Sequence, residues 1–265
     1  MRILVSAFLA ACSLCGQAGK LAAPSPGFAF DQSAHALRRI QGIPGAALVG
    51  APVEFGFAVT AAYVAPRLDS AFVVADGDCR AHLFRLTADA PRELALDSMD
   101  ACFQVVYSPS GTAAALYSRG SVVMIKGLPD APVVAATVSL RPNPRPQRPL
   151  PHTLAISDDG AYLLYGAGGL IELFGVAGDR RQVANGARDV IAAFAPGGHD
   201  AAVTDGGKLI LFQDIAGAAT ERSFSGIEMP SALAFSPDAR KLFVASAVGR
   251  AVTTIQVATG DRSAL

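Results

Sequence analysis

Short apolar runs separated by turn-forming residues recur along this chain, and the clearest instance spans residues 230–261. Pro230-Ser231-Ala232-Leu233-Ala234-Phe235 reads as a strand. Ser236-Pro237-Asp238-Ala239 follows as a turn, with proline presetting φ and aspartate supplying a side-chain acceptor. Residues 241–245 read as a second strand, 248–250 as a turn and 251–257 as a third strand. Weaker copies of the phrase are centred on Pro66, Pro109, Asp158 and Pro196. Their predicted strands are 62–64, 71–75 and 81–86; 103–107, 113–117 and 122–125; 154–156, 162–165 and 170–174; and 190–194, 201–203 and 208–212. These runs are near-continuously apolar, with many small residues, rather than alternating, as expected of strands buried on both faces. No amphipathic helical period lies between them.

The five anchors lie 43, 49, 38 and 41 residues apart. A period of roughly 40–50 residues with this strand content is that of a propeller blade. The expected fold is therefore all-β: a single β-propeller of five to six four-stranded blades over residues 24–265. Phe28-Ala29-Phe30-Asp31 and Ala36-Leu37-Arg38-Arg39-Ile40-Gln41-Gly42 read as a third strand and an outer fourth strand. The chain stops where the outer strand of its last copy should follow, so an N-terminal strand is expected to complete the C-terminal blade and remove sheet edges. That gives five blades, or six if the N-terminal piece builds a partial blade of its own.

Residues 230–261 resemble the repeat of the YVTN-type β-propellers and, more loosely, those of WD-repeat and Tol-Pal-type propellers. The likeness weakens toward the N-terminus. The Trp-Asp signature is missing, because the chain contains no Trp. The resemblance implies a fold rather than an activity, since such propellers include lactonases, cytochrome domains, surface-layer proteins and scaffolds. The lack of Trp also argues against the quinoprotein propellers, whose blades resemble one another through Trp-bearing motifs.

The N-terminus adds a destination. Met1-Arg2, the apolar run 3–11 and the small residues up to Ala23 have the order of an export signal, so residues 1–23 read as signal and short tether. Leu9-Ala10-Ala11-Cys12 resembles a lipobox, which would lipidate Cys12; the alternative is cleavage after Ala18 or Ala23. The expected location is the periplasm, cell envelope or exterior, with membrane contact only through a lipid anchor. No later run reaches eighteen uninterrupted apolar residues. The 22 basic and 22 acidic residues balance, and no basic stripe alternates with aromatics, so nucleic acid is not an expected partner. The proline-rich stretch 141–151 reads as an extended inter-blade loop, with a basic docking arm as the alternative.

Candidate chemistry is sparse. Cys79 and Cys102 flank connections expected on one face, so an oxidising compartment would permit a disulfide between them; two buried thiols are the alternative. His35, His82, His152 and His199 show no metal-ligand spacing, and Asp76-Gly77-Asp78, Asp158-Asp159-Gly160 and Asp205-Gly206-Gly207 lack a full calcium loop. There is no Gly-x-Ser-x-Gly elbow and no phosphate loop, and no cofactor is expected. Asp76, Asp78, Arg119, His152, Arg188, Asp205 and Arg250 are the binding candidates, gathered on the face with the second-to-third-strand turns. The leading expectation is a non-enzymatic binding or scaffold propeller of a bacterial envelope, its protein or small-molecule ligand unknown. The alternatives are a lactonase-like hydrolase working in the central channel and a fragment of a larger sensor or surface-layer protein.

Overall fold

The computed structural model describes residues 27–77, 80–87, 90–96, 104–118, 120–140, 153–185, 190–205, 207–227 and 229–264. Among them there is no helix; every regular element is a strand of an antiparallel sheet. Sheet 1 contains β1 (Gly27–Asp31), β2 (Ala36–Gln41) and β3 (Leu48–Pro52). Sheet 2 follows with β4 (Val59–Val64), β5 (Ser70–Ala75), β6 (Ala81–Arg85) and β7 (Arg92–Leu94). Sheet 3 holds β8 (Gln104–Tyr107), β9 (Ala113–Ser118), β10 (Ser121–Lys126) and β11 (Val133–Ser139). In sheet 4 lie β12 (Thr153–Ile156), β13 (Tyr162–Ala167), β14 (Leu170–Gly175) and β15 (Arg180–Asn185). Sheet 5 is β16 (Ala192–Phe194), β17 (Ala201–Asp205), β18 (Lys208–Gln213) and β19 (Thr220–Phe224). Sheet 6 ends the chain with β20 (Pro230–Phe235), β21 (Lys241–Ser246), β22 (Ala251–Gln256) and β23 (Arg262–Ala264). Strands pair in sequence order within each sheet, so all six are up-and-down meanders.

One register rule stacks the sheets. In the second and third strands, one cross-strand pair faces the preceding sheet and the next pair faces the following one. Ala71 opposite Phe84 points back into a core with sheet 1, and Phe72 opposite Leu83 points forward into a core with sheet 3. Ala114/Ile125 and Ala115/Met124 do the same in sheet 3, as do Leu163/Phe174 and Leu164/Leu173 in sheet 4. Ala201/Phe212 and Ala202/Leu211 repeat it in sheet 5. Successive residues of a strand point to opposite faces, so a strand buried between two neighbours is apolar along most of its length. Five apolar clusters fill the spaces between consecutive sheets.

Small residues let the turns approach the neighbouring sheet. Gly160 closes the β12–β13 turn at φ +67°, where a Cβ would meet the Lys126 Cβ at 2.7 Å and the Ala113 Cβ at 3.4 Å. Gly160→Ala is expected to lower stability by about 1–2 kcal/mol, from the left-handed backbone and the contact together. Denaturant titration checks this, and an unchanged midpoint would count against it.

The chain ends differ from the sequence expectation. The last sheet needs no strand from the N-terminus, because β23 follows the Thr259-Gly260 turn and pairs outside β22. All three residues of β23 are exposed, and the strand carries no apolar signature in the sequence. At the other end, β3 pairs on the outside of β2, so β1 and β2 are not the last two strands of a sheet. Beta3 carries Gly50 and ends at Pro52, residues that read as punctuation rather than strand. The leader 1–23 with Cys12, the cysteines Cys79 and Cys102, and the arm 141–151 lie outside the described residues.

Candidate functional site

The Pro-anchored turns converge. They join the first and second strands of sheets 2 to 6, and antiparallel alternation places all of them at one end of the assembly. A local device shapes several of them. The Ser108, Ser157 and Ser236 hydroxyls accept the N–H groups of Ala113, Tyr162 and Lys241 at 3.1, 3.0 and 2.9 Å, closing each turn onto the next strand. In two copies an aspartate two residues on accepts the serine hydroxyl: Ser157 to Asp159 at 2.6 Å and Ser236 to Asp238 at 2.5 Å. Short polar side chains that bond nearby backbone favour turns over extended structure.

Asp158 stands at the anchor position that proline occupies in the other copies, and it ties three sheets together. Its Oδ1 accepts the Ser110 N–H of the sheet 3 turn, and its Oδ2 accepts the Gly197 N–H of the sheet 5 turn, both at 2.7 Å. Its backbone carbonyl accepts the Thr112 hydroxyl at 2.6 Å. Burial works against this carboxylate, but hydrogen bonds from Ser110, Gly197 and Ser108 outweigh it and hold its pKa below the ordinary value. Beside it, His199 Nε2 lies 2.9 Å from Asp159 Oδ2, while Nδ1 faces Asp214 Oδ1 at 3.7 Å. The imidazole also meets the Tyr162 ring edge-on, with centroids 4.8 Å apart. Burial likewise opposes ionisation of Asp159, and bonds from Ser157, Ala161 and His199 reverse its effect, so this pKa too is lowered.

Between these turns lies a cavity of about 640 Å³. Its wall takes Pro66 and Arg67 from sheet 2, residues 107–110 from sheet 3, 154–156 from sheet 4, 192–194 and Pro196 from sheet 5, and 233–235 and Pro237 from sheet 6. The inner strands thus supply small and apolar side chains, while the turns supply prolines and serine hydroxyls. Arg67 is the one cation in the wall, and Asp69 neutralises it through Nε at 2.7 Å and Nη2 at 2.6 Å. The wall suits a neutral, mainly apolar group. It brings together neither a nucleophile with a base nor two facing carboxylates. Among the described residues no group of three His, Cys, Asp or Glu side chains is placed to hold a metal.

The three sequence candidates among the described residues sit elsewhere. Asp76 is in the β5–β6 turn, Asp205 ends β17, and Arg250 occupies the β21–β22 turn at φ 46°. They belong to sheets 2, 5 and 6 at the end opposite the Pro-anchored turns, and no hydrogen bond or ion pair joins them. Asp78, Arg119, His152 and Arg188 lie outside the described residues. Sequence reasoning missed the bridging role of Asp158 and the bracketing of His199 by two carboxylates. The available signal was an aspartate standing where the other copies carry proline.

No protein-family model and no curated protein sequence matches the chain. Similarity to solved structures is extensive but remote in sequence. A functionally unknown protein from Desulfotomaculum acetoxidans DSM 771 is similar over 90% of this chain and 78% of its own, at 14% identity and a TM-score of 0.60. Hydrazine synthase from Kuenenia stuttgartiensis is similar over 91% and 80%, at 15% identity and a TM-score of 0.54. A chain of the mitotic checkpoint complex is similar over 100% and 88%, at 12% identity and a TM-score of 0.58. These likenesses concern the fold alone, and with the antiparallel sheets they support a β-propeller, WD40-like architecture.

Proposed function

We propose that this chain is an exported, six-bladed β-propeller of YVTN type that works by binding rather than by catalysis. On this reading the mouth of the channel at the Pro-anchored turns takes a neutral, largely apolar group of a ligand or partner protein. The observation that carries it is the cavity of about 640 Å³ with an apolar and hydroxyl wall whose one cation is internally paired. Its size falls within the range of small-molecule sites, about 300–1,000 Å³. Six blades follow from counting sheet 1 as a blade. Export, with or without a lipid on Cys12, rests on the order of residues 1–23.

Nile red, a neutral apolar dye, tests the site directly. Wild-type protein is expected to bind it saturably at micromolar concentration. Ala193→Trp, which places an indole in the wall, is expected to weaken that binding about tenfold while leaving the melting temperature within a few degrees. Dye binding that is indifferent to this substitution would overturn the assignment.

A further inference from the structure

An exposed apolar segment closes sheet 1 on its outer side. Residues 42–52 read Gly-Ile-Pro-Gly-Ala-Ala-Leu-Val-Gly-Ala-Pro, with no nitrogen, oxygen or sulfur in any side chain. All but Gly42 and Gly50 are exposed, Ile43 at 60%, Leu48 at 75% and Val49 at 63%. No other described segment exposes three large apolar side chains together. The outer strands of four other sheets are built in the opposite way. Strands β7, β15, β19 and β23 carry the exposed arginines Arg92, Arg180, Arg222 and Arg262. Charge on an outer strand favours water and blunts the sheet edge. Strand β11 has no charge but ends in Thr137-Val138-Ser139, which is not purely apolar.

The apolar side chains are held outward by their turn. The Ala46 N–H donates to the Ile43 carbonyl at 2.9 Å. Between them lie Pro44 and Gly45, the latter at φ +90°, an arrangement with the signature of a type II turn. Proline presets the first central position and glycine permits the second. A Cβ on Gly45 would meet nothing within 4 Å, so the tip projects into open space.

Two contacts locate this loop. The Val59 N–H at the start of β4 donates to the His35 carbonyl in the β1–β2 turn at 3.2 Å. That turn therefore lies where β4 begins, opposite the Pro-anchored turns, and the β2–β3 loop lies at the Pro-anchored end. At that end Gly27 pairs with Ile40, two residues before the loop, so the chain enters β1 beside it.

We propose that the β2–β3 loop seats on a lipid bilayer. Exposed apolar patches mark contact with a membrane or with a partner protein, and the side chains here favour the membrane. Protein interfaces carry about one hydrogen bond per 100–200 Å², and residues 42–52 offer no side-chain donor or acceptor for one. Hydrocarbon requires none. With no charge to draw headgroups, the attraction is apolar and a zwitterionic surface suffices. The seat is shallow, at the boundary of headgroups and acyl chains, because the backbone groups of a loop need water. Ile43, Ala46, Ala47 and Leu48 are the side chains that reach the hydrocarbon. Attachment at this place rests on the export reading: a lipid on Cys12 would hold the bilayer at the end where the chain enters β1. One acyl chain binds only marginally, and the loop is the second contact that makes attachment stable. The cavity mouth lies at the same end, so seating the loop turns that mouth toward the bilayer.

The chain has no Trp, so a single introduced indole reports its own surroundings. The test mixes the whole chain with phosphatidylcholine vesicles whose brominated acyl chains quench an indole in the hydrocarbon. In Leu48→Trp, vesicles are expected to shift the emission to the blue and quench it. Val248→Trp, a similarly exposed site in the β21–β22 turn at the opposite end, is expected to show neither change. Adding Ile43→Asp to Leu48→Trp is expected to remove most of the quenching and leave the melting temperature within a few degrees, because the site is exposed. Equal quenching at both indoles would mean that the leader alone holds the protein on the vesicle. No quenching at either is the result for a loop that docks on a protein. Each would overturn the proposal. So would Leu48→Trp emission that is already blue in buffer, since the chain itself would then cover the loop. Ligand binding in the cavity is read separately through Ala193→Trp, so either reading can fail alone.

Discussion

Phe72→Ala is expected to lower the unfolding free energy by about 3–5 kcal/mol, the range for deleting a fully buried aromatic ring. The Phe72 side chain is wholly buried between sheets 2 and 3, with its ring 5.7 Å from that of Tyr107. Phe72 and its partner Leu83 form the forward pair of sheet 2, so the cavity would open where one sheet stacks on the next. Beta-sheet hydrogen bonds inside sheet 2 would survive, because the backbone register does not depend on the ring. The expected signature is a large fall in the urea midpoint, followed by circular dichroism because the chain has no Trp. A loss under about 1 kcal/mol would mean that the interface collapses onto the vacancy, or that sheets 2 and 3 contribute little to each other.

Asp158→Ala carries the second-largest expected loss, about 2–3 kcal/mol, through a different mechanism. It strands the N–H groups of Ser110 and Gly197, which have converged on one carboxylate from two separate sheets. Hydrogen bonds to a charged group contribute about 1.5–3 kcal/mol each, and the partial exposure of this site lets water recover some of that. The same carboxylate confers a pH dependence with a definite sign. The pKa values of Asp158 and Asp159 are lowered in the folded chain, so the unfolded chain binds protons first as the pH falls. Their stabilisation is fully present above about pH 4, the ordinary carboxylate value, and is lost as the pH drops through the lower folded values. Wild type is therefore expected to lose stability as the pH falls below about 4, and Asp158→Ala to lose less. Parallel pH profiles for the two proteins would refute the bridging role. Asp158→Asn separates charge from shape, since it keeps one acceptor and turns an amide N–H toward one of the two donors.

Much of the strand pattern was legible residue by residue. Runs such as 113–117 and 122–125 are apolar throughout because sheets cover them on both sides, and they fold within β9 and β10. Outer strands were harder to see. Beta15 and β19 begin Arg180-Arg181 and Thr220-Glu221-Arg222, mostly exposed, and carry no periodicity that separates them from a loop. The candidate site was less legible still. The cavity wall is made mostly of Ala, Ser, Pro and single apolar residues drawn from five sheets, which do not stand out in their own stretches of sequence. Charged turn residues such as Asp76 and Arg250 do stand out, yet charge at a hairpin turn reflects solvent exposure first.

By itself the sequence determined the repeat, the all-β class and the position of each Pro-anchored turn. Those properties follow from local rules: proline fixes φ, serine and aspartate close turns, and double burial disfavours polar residues along a strand. Only the tertiary structure decided that the last sheet takes its outer strand from β23 and that Asp158 bridges three sheets. The bridge depends on residues far apart in sequence, Asp158 with Ser110 and Gly197. Such relations exist only once the sheets are stacked in register, because stacking alone brings the turns of neighbouring repeats together.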